Sequence, residues 1–529
     1  MSRRLLIAPL IADGDACAHV PGALLVEDGR VVGAGSPASI GEVTDAERIE
    51  LPAAALVPAL VNAHAHLDLS HLGAHLVAHP GGPVGGPVGG PVGGPAGGQA
   101  GGQVGGQVGG QVGGQVGDHR TREPEGRRSP ALRLHRQSGA AARGGAESAP
   151  APAPRPSEVE RGRRPVDFIA WAGAIRRGRA TTPEAIAASV DRGIELSIAG
   201  GVAAIGDIAG GASLVPYERL RRSPLAGLSF VEFFGLGDRQ ARTIAAMEAL
   251  AEAARAEGRS GAARERSGAA AAASTGPPRV RLGVQPHAPY SCGPLVYEAA
   301  ARLVERGRSA GFAMATHLAE TQAELRFARE CTGPFRTMLE SFGLWHDAIE
   351  PLGAHPLEAL AASLARGRSL LVHLNCIDSR HVGLIAELGL AVAYCPRASA
   401  FFGHPEAGAS AHRYLELLEA GVPVALGTDG LPALDRDDRL SPLDDMRLLL
   451  RRDGADPFTL LRMATTNGAI ALGLDPAPFS FRPGAAIEGV LALPLPAAAG
   501  LAASAAGLLA AAIGREAPPG AIPRAIWRA

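Results

Sequence analysis

The sequence contains no lysine, so all 51 of its basic residues are arginine. This excludes a Schiff-base lysine, a phosphate-loop lysine and a carbamylated lysine that bridges two metals. With 52 acidic residues the net charge is -1, and no block of like charge marks a surface for nucleic acid or an anionic membrane. We therefore expect neither nucleic acid nor a membrane as a partner.

Cysteine is scarce and long apolar runs are missing. The five cysteines are scattered and form no Cys-x-x-Cys pair, which favours reduced thiols and a cytoplasmic location. No segment reaches the roughly 18 apolar residues of a membrane-spanning helix. Two arginines before "LLIAPLIA" suggest a signal peptide, but that run is short and interrupted by Pro9.

Two segments are too polar and repetitive for a packed core. Residues 80 to about 117 repeat "GGPV" and then "GGQV", and Pro- and Arg-rich sequence continues to about 164. Residues 255–278 are a shorter stretch of similar character. Both are predicted to be disordered insertions, because they bury too little apolar surface to offset the entropy of ordering.

The rest of the chain alternates apolar strand patterns with amphipathic helix patterns. The predicted strands span 56–62, 201–207, 228–234, 280–286, 312–317, 370–374, 390–395 and 423–428. Near-continuous apolar strands that alternate with helices are typical of a parallel sheet buried on both faces. Eight such units predict an α/β fold, a (β/α)8 TIM-type barrel, with its active site at the carboxyl ends of the strands.

Chemically capable side chains fall at those strand ends. "LVPALVNAHAHLDLSHL" (56–72) ends an apolar run on His64 and His66, which project to one side if the strand continues. The pair alone is equally consistent with a divalent metal site or with solvated loop histidines. Further candidates end later strands, and this alignment favours the metal site; they are Glu232, His287, His317, His373 and Asp429.

Four motifs carry a family resemblance. "VNAHAHLDLSHL", "THLAET", "LVHLN" and "VALGTDG" resemble, in this order, the signature elements of the amidohydrolase superfamily, and more closely its deaminase and chlorohydrolase branch. The resemblance covers most of residues 20–475, apart from the two insertions. It implies a single divalent metal ion held by His64, His66, His317 and Asp429, with zinc favoured over iron or manganese.

The resemblance also implies catalytic roles. It places His373 beside the water bound to the metal and makes Glu320 the proton shuttle, while Asp429 accepts or orients the proton of the water. Three imidazoles and one carboxylate leave a coordination position for water, whose pKa a divalent ion can lower to about 7. Glu320 has a plainer alternative as a first-turn carboxylate that complements a helix dipole.

Three further residues are predicted to contact substrate. His287, in "PHAPYSC", is implied by the resemblance to be a substrate contact rather than a ligand. Arg397, in "CPRASAFFGHP", could bind an anionic group or be a solvated loop arginine. Glu232 is also predicted to contact substrate, and the alternative is that it is a metal ligand.

The ends of the chain are expected to form a second domain. In the family that the sequence resembles, both ends build a small β-sandwich, here residues 1–55 and 476–529 around a barrel of 56–475. "RPGAAIEGVLALPL" could supply strands, whereas the Ala-rich run after it is typical of a helix.

The function expected first is hydrolytic deamination of an aminated purine or 5′-modified adenosine, a small-molecule substrate. Two stretches, "CPRASAFFGHP" and "THLAETQAELRFARECTGPF", look most like aminodeoxyfutalosine deaminases of menaquinone synthesis. The alternatives are hydrolysis of a chlorinated ring or a cyclic amide, and a non-catalytic metal-binding barrel. The oligomeric state stays open, with a homo-oligomer as one option.

The low-complexity composition of residues 80–160 generates a first testable prediction. A variant that lacks this segment should fold, bind metal and keep its activity, since long loop insertions contribute little to stability. Metal analysis and turnover of the deletion variant and the full chain would measure this. A folded variant without metal would contradict the prediction.

Overall fold

A computed structural model of the chain describes residues 3–15, 17–74, 166–252, 279–496 and 504–515, and the backbone of 524–528. Both predicted insertions, 80–164 and 255–278, lie outside the described residues.

Eight parallel strands form one sheet in the described part of the chain. They follow one another around the sheet in chain order and are Leu60–Ala65, Val202–Ala209, Ala226–Phe233, Val280–Pro286, Met314–Leu318, Ser369–His373, Ala391–Tyr394 and Val424–Leu426. Nearly all of their residues are buried, as expected for strands covered by helices on the outside. The predicted TIM-type barrel is confirmed.

The barrel closes between its first and last strands. The backbone amides of Thr428 and Asp429 both donate to the carbonyl of His64, at 3.0 Å each. The side chain of Asn62 adds two bonds to Thr428, accepting from its amide at 3.0 Å and donating to its hydroxyl at 2.8 Å. Residues more than 360 positions apart in the sequence are thereby joined at the carboxyl edge of the sheet.

Helices connect the strands and cover the barrel. The α-helices of the described chain are Pro37–Ile40, Phe168–Gly178, Pro183–Ala199, Val215–Arg221, 240–252, Pro294–Gly307, Gln322–Glu330, Pro334–Ser341, Pro356–Leu364, Ser379–Glu387, Pro396–Phe401, Tyr414–Glu419, Pro442–Asp453, Pro457–Met463, Thr466–Leu472 and Ala505–Gly514. Short 3₁₀ helices lie at Leu67–Leu72, Gly210–Ala212, Gly237–Arg239, Arg308–Ala310, Leu431–Ala433 and Ala477–Phe479. Many begin with a proline at the first turn or a capping side chain, which are typical helix start signals.

Two smaller sheets are formed by terminal segments, the first by N-terminal strands and the second by strands from both ends of the chain. One contains Arg3–Ala8, Gly22–Glu27, Arg30–Gly35 and Glu47–Glu50, and the other contains Leu10–Ala12, Ala18–His19, Ala54–Pro58, Gly489–Pro494 and Arg524–Arg528. Side chains of both sheets share one apolar core, including Leu6 and Leu24 from the first and Leu56 and Val490 from the second. The Ala-rich run after the strand at Gly489–Pro494 forms the helix Ala505–Gly514, as its composition predicts.

The predicted first strand, 56–62, is wrong in its bounds. The chain forms two strands there: Ala54–Pro58 pairs with Gly489–Pro494 in the terminal sheet, and Leu60–Ala65 begins the barrel. Ala59 separates them, and its amide donates to the carbonyl of Gly489 at 2.9 Å. Both strands are fully buried, so the apolar pattern alone gives no sign of the change of sheet. The predicted domain boundaries stay a prediction.

Of the helices in the described ranges, none combines the length and apolar character needed to cross a bilayer.

A glycine in the second barrel strand generates the next prediction. A Cβ on Gly206 would lie 2.3 Å from the carbonyl oxygen of Ala63 in the neighbouring strand and 2.8 Å from Leu472. Gly206→Ala should therefore lower the free energy of unfolding by about 1–3 kcal/mol, the usual cost of overpacking. Denaturant unfolding of the purified variant would measure it.

Gly383 supplies the matched control. It lies in the helix Ser379–Glu387, and a Cβ there would meet nothing within 4 Å. Gly383→Ala should leave stability unchanged or raise it by about 0.5–1 kcal/mol, because alanine loses less backbone entropy in a helix. Equal stability of the two variants would show that the strand tolerates the extra atom.

Candidate metal centre and active site

Four histidines and one aspartate converge at the carboxyl end of the barrel. His64 lies in the first strand and His66 directly follows it, His317 and His373 lie at the ends of the fifth and sixth strands, and Asp429 follows the eighth. Strand register contributes to this, since Leu318 pairs with His373 in the adjacent strand. The ligand atoms of His64, His66 and Asp429 lie within 4.8 Å of one another, and so do those of His64, His317 and His373.

The backbone conformation of Asp429 directs its carboxylate towards the histidines. Its φ angle is +62°, in the left-handed region that costs a non-glycine residue about 1 kcal/mol. Its Oδ1 accepts the amide of Gly430 at 2.7 Å and lies 3.7 Å from Nε2 of His64 and 3.5 Å from Nε2 of His66. Two ligands of one tetrahedral ion, each about 2.1 Å from it, lie about 3.4 Å apart, so these distances suit a shared metal.

Burial keeps the histidines in their neutral, ligand-competent form. His66, His317 and His373 are buried. Burial lowers the pKa of His66 and of His317 well below the usual value, and neighbouring histidines add to the effect at both. Burial also lowers the pKa of His373 to about 3, although Asp429 opposes it. Neutral imidazoles offer the lone pairs that a divalent cation needs.

Asp429 is in its charged form, unlike the neutral histidines around it. Burial alone would raise the pKa of this carboxyl. The interaction with His64, together with His66 and His373, outweighs burial and holds the pKa of Asp429 below its usual range. The cluster therefore presents three or more neutral nitrogens and one carboxylate.

Several of these nitrogens lack a hydrogen bond. Within the described ranges, both ring nitrogens of His64, Nδ1 of His66 and Nδ1 of His373 are buried without a hydrogen-bond partner. Buried polar atoms are nearly always paired, because an unpaired one costs about 1–3 kcal/mol. A divalent cation would satisfy Nε2 of His64, which lies 3.7 Å from Oδ1 of Asp429, and nitrogen with carboxylate oxygen is a donor set that zinc accepts. The residues present therefore fit the implied metal.

Glu320 lies beside this cluster and is buried as well. Its Oε1 is 3.5 Å from Nε2 of His373. Burial raises the pKa of Glu320 well above its usual value, and the charges of Asp429 and Glu324 raise it further. The raised pKa favours the protonated carboxyl, which is the form that can donate a proton.

Glu232 and His287 approach the cluster from the third and fourth strands. Ligand atoms of Glu232, His287 and His317 lie within 4.8 Å of one another, with Nε2 of His287 3.8 Å from Oε1 of Glu232. The other carboxylate oxygen of Glu232 accepts from Nη1 of Arg179 at 3.3 Å. Arg179 already balances the charge of Glu232, which favours the substrate contact over the metal-ligand alternative. Both contacts stay predictions.

Arg179 itself was not singled out from the sequence. It follows the helix Phe168–Gly178 and joins Glu232 to Asp68, whose Oδ2 lies 2.9 Å from Nη2 of the arginine. Gly210 makes room for this bridge, because a Cβ there would lie 1.7 Å from Nη2. No motif marks Arg179, which comes soon after the low-complexity segment.

Arg397 lies in a buried cluster of ion pairs. Its Nε and Nη2 donate to Oδ2 of Asp445 at 3.1 and 3.0 Å, Nη1 donates to Asp435 at 3.4 Å, and Nη2 donates to the carbonyl of Ser441 at 3.2 Å. The structure thus engages this guanidinium with the segment that follows Asp429 rather than with the metal cluster. Its substrate contact stays a prediction that these bonds do not support.

Other contributors were missed because their effect passes through the backbone. Glu324 accepts from the amides of Ala319 and Glu320, and Asn375 donates to the carbonyl of Glu320 at 3.3 Å. His412 donates from Nε2 to the carbonyl of His373 at 2.7 Å. Glu324 and Asn375 adjoin the recognised motifs and could have been found there, whereas His412 has no such signal.

Comparison with known proteins agrees with this site. The sequence profile of the amidohydrolase family matches residues 157–484, more than half of the chain. A 5-methylthioadenosine/S-adenosylhomocysteine deaminase of Moorella thermoacetica is 31% identical over 202 residues, which are 37% of this chain and 41% of that protein. A protein of the same name from Thermococcus onnurineus is 31% identical over 205 residues. The chain thus matches about two fifths of the length of these relatives.

Solved structures share the fold over nearly the whole chain. Aminofutalosine deaminase of Helicobacter pylori, in complex with methylthio-coformycin, superposes with a TM-score of 0.60 at 16% identity and covers 93% of this chain and 92% of its own. A zinc-bound adenosine deaminase of Xanthomonas campestris gives a TM-score of 0.56 at 17% identity over 96% and 89% of the two chains. Atrazine chlorohydrolase of Arthrobacter aurescens, complexed with zinc, gives 0.57 at 16% identity over 96% and 90%.

The profile match spans the barrel strands that carry His317, His373 and Asp429, and the closed barrel brings these residues to the His-x-His motif of the first strand. The chain belongs to the amidohydrolase family.

Proposed function

We propose that this chain is a metal-dependent hydrolase that deaminates an aminated purine or a 5′-modified adenosine. The observation that carries the proposal is the position of the buried carboxyl of Glu320, whose Oε1 lies 3.5 Å from Nε2 of His373 and next to a cluster of histidines. A carboxyl at this place can act as a proton shuttle, which neither a binding barrel nor a structural metal site needs.

His64, His66, His317 and Asp429 would hold the ion. Zinc is the first choice because two solved relatives of the same fold contain it, and iron or manganese suits the same donors. When bound, a divalent ion supplies a water that is acidic enough to act as a nucleophile near neutral pH.

Side chains of the protein transfer the protons in the proposed reaction. Water gives its oxygen to the ring carbon that bears the amino group, and the amino group leaves as ammonia. One proton of the water ends on the ammonia and the other on the ring nitrogen. Glu320 protonates the ring nitrogen first, which makes the adjacent carbon electrophilic. Its carboxylate then takes up one proton of the water and passes it to the leaving amine, and the second water proton restores the acid form of Glu320. His373 and Asp429 orient the water and accept its proton.

The substrate assignment is supported by the names of relatives and by the site. The curated relatives are deaminases of 5-methylthioadenosine and S-adenosylhomocysteine, and one solved relative is an aminofutalosine deaminase. His287 and Glu232 are the proposed substrate contacts, since both lie beside His317. A substrate of the aminodeoxyfutalosine type, a place in menaquinone synthesis and a cytoplasmic location complete the proposal and rest on the motif resemblance.

A second candidate is the hydrolysis of another leaving group, such as halide from a chlorinated ring. It is favoured by the shared fold with atrazine chlorohydrolase. A cyclic amide would require the same cluster. The buried carboxyl of Glu320 beside His373 favours deamination, because a proton donor there can activate an amidine-like ring and protonate the leaving amine.

An ammonia-release screen tests the reaction. The purified, metal-loaded protein should release ammonia from adenine nucleosides with 5′ substituents, and more slowly or not at all from guanine, pterins and cyclic ureas. Chloride release from a chlorinated triazine serves as the parallel assay. Chloride without ammonia would replace the first proposal by the second.

Substitutions at the metal centre test which residues hold the metal and which transfer a proton. His317→Ala and Asp429→Ala should lose metal and activity together. Glu320→Gln keeps size and polarity but cannot transfer a proton, so it should retain one metal ion per chain while kcat falls by about 10²–10⁴-fold. Metal analysis and turnover on the same preparations would show both.

A half-buried histidine outside the barrel strands provides the control. His19→Ala, in a terminal strand away from the barrel, should change neither metal content nor kcat. If Glu320→Gln loses its metal, the carboxyl is a ligand. If it turns over at the normal rate, the carboxyl is not the proton shuttle.

A further inference from the structure

The turn that carries Glu320 has an unfavourable backbone. Ala319 has φ +50°, a left-handed conformation that a residue with a Cβ rarely adopts without support. The turn links the strand Met314–Leu318 to the helix Gln322–Glu330. It therefore decides where the carboxyl of Glu320 lies relative to His373.

One buried carboxylate holds this turn. Oε1 of Glu324 accepts the amide of Ala319 at 2.7 Å, and Oε2 accepts the amide of Glu320 at 2.8 Å. The side chain of Glu324 is fully buried and lies in the first turn of the helix. There the hydroxyl of Thr321 accepts the backbone amide of Glu324 at 3.1 Å. Burial raises the pKa of Glu324 to about 7, although the bonds from the backbone amides oppose this. In its ionised form Glu324 holds both amides by charge-assisted bonds, which are about twice as strong as neutral ones.

The backbone carbonyl of Glu320 is held as well. Nδ2 of Asn375 donates to the carbonyl of Glu320 at 3.3 Å, and Oδ1 of Asn375 accepts from the hydroxyl of Ser399 at 2.9 Å. Asn375 follows His373 by two residues, so the backbone of Glu320 is linked to the loop that carries its partner. With its amide and carbonyl both bound by buried side chains, Glu320 has little freedom to move.

We propose that Glu324 is a positioning residue, which fixes the left-handed turn at Ala319 and so holds the carboxyl of Glu320 within reach of His373 and the substrate. The inference rests on the proposed function, because it takes Glu320 as the proton shuttle. Glu324 acts through the backbone and touches neither metal nor substrate. A small displacement of a catalytic group is enough to lower a rate by up to about 10²-fold.

Glu324→Gln tests the proposal. The amide keeps one acceptor but turns a donor towards one of the two backbone amides. We expect kcat to fall by about 10–10²-fold, while KM and the metal content stay within about twofold. Glu330→Gln, an exposed carboxylate at the other end of the same helix, is the matched control and should behave as the wild type.

A double-mutant cycle separates positioning from general stability. If Glu324 acts through Glu320, adding Glu324→Gln to Glu320→Gln should change kcat little, because the group to be positioned is already gone. Full additivity of the two effects, or a normal kcat in Glu324→Gln, would overturn the inference. If Glu324→Gln fails to fold, Glu324→Asp keeps the charge but is too short to reach both amides, and the same loss of kcat is expected.

Hydrogen exchange gives a readout without turnover. The amides of Ala319 and Glu320 should exchange faster in Glu324→Gln than in the wild type and the Glu330→Gln control. Unchanged exchange of these two amides would refute the proposal that Glu324 fixes the turn, even if kcat falls. Wild-type protein that releases ammonia from none of the substrates would refute the proposed function and the positioning role together, while exchange would still decide whether Glu324 fixes the turn.

Discussion

Closure of the barrel at a single carbonyl is the contact on which the site depends. The carbonyl of His64 accepts the amides of Thr428 and Asp429, so the first and last strands meet where their side chains point into the centre. Without that pairing, Asp429 would lie on the free edge of an open sheet, far from the His-x-His motif. Because a parallel sheet buries its backbone polar groups only when its edges are paired or covered, the bond that completes the sheet also assembles the proposed ligand set.

Backbone strain is concentrated in the same region. Ala319, His373 and Asp429 all have positive φ angles, which places a left-handed residue at three of the strand ends that carry the site. Each is held by a different group: the carboxylate of Glu324, the ring of His412 and the amide of Gly430. Strained residues persist only where their surroundings fix them. Here Glu324 is buried in the following helix, His412 is half-buried and distant in the sequence, and Gly430 directly follows Asp429. The rigidity of the centre therefore comes from packing around the loops as much as from the strands.

Much of the fold could be predicted because it follows from local patterns. Apolar runs of strand length, alternating with amphipathic helices, identify the barrel, and polar residues at their ends identify where the chemistry lies. The failures have a physical reason too. The division of the run around Ala59 into two strands depends on partners at Gly489–Pro494, which no local pattern contains. Arg179 reaches Asp68 and Glu232 only after folding, and the ion pairs of Arg397 depend on a distant segment.

The spread of the proposed ligands along the chain has a consequence for how the protein is made. His64 and His66 are synthesised early, His317 later, and Asp429 only after four fifths of the chain. Until residue 429 has been synthesised and the eighth strand has paired with the first, the proposed site offers the ion histidines but no carboxylate. With the proposed ligands, the complete metal site therefore forms only when the eighth strand has paired with the first.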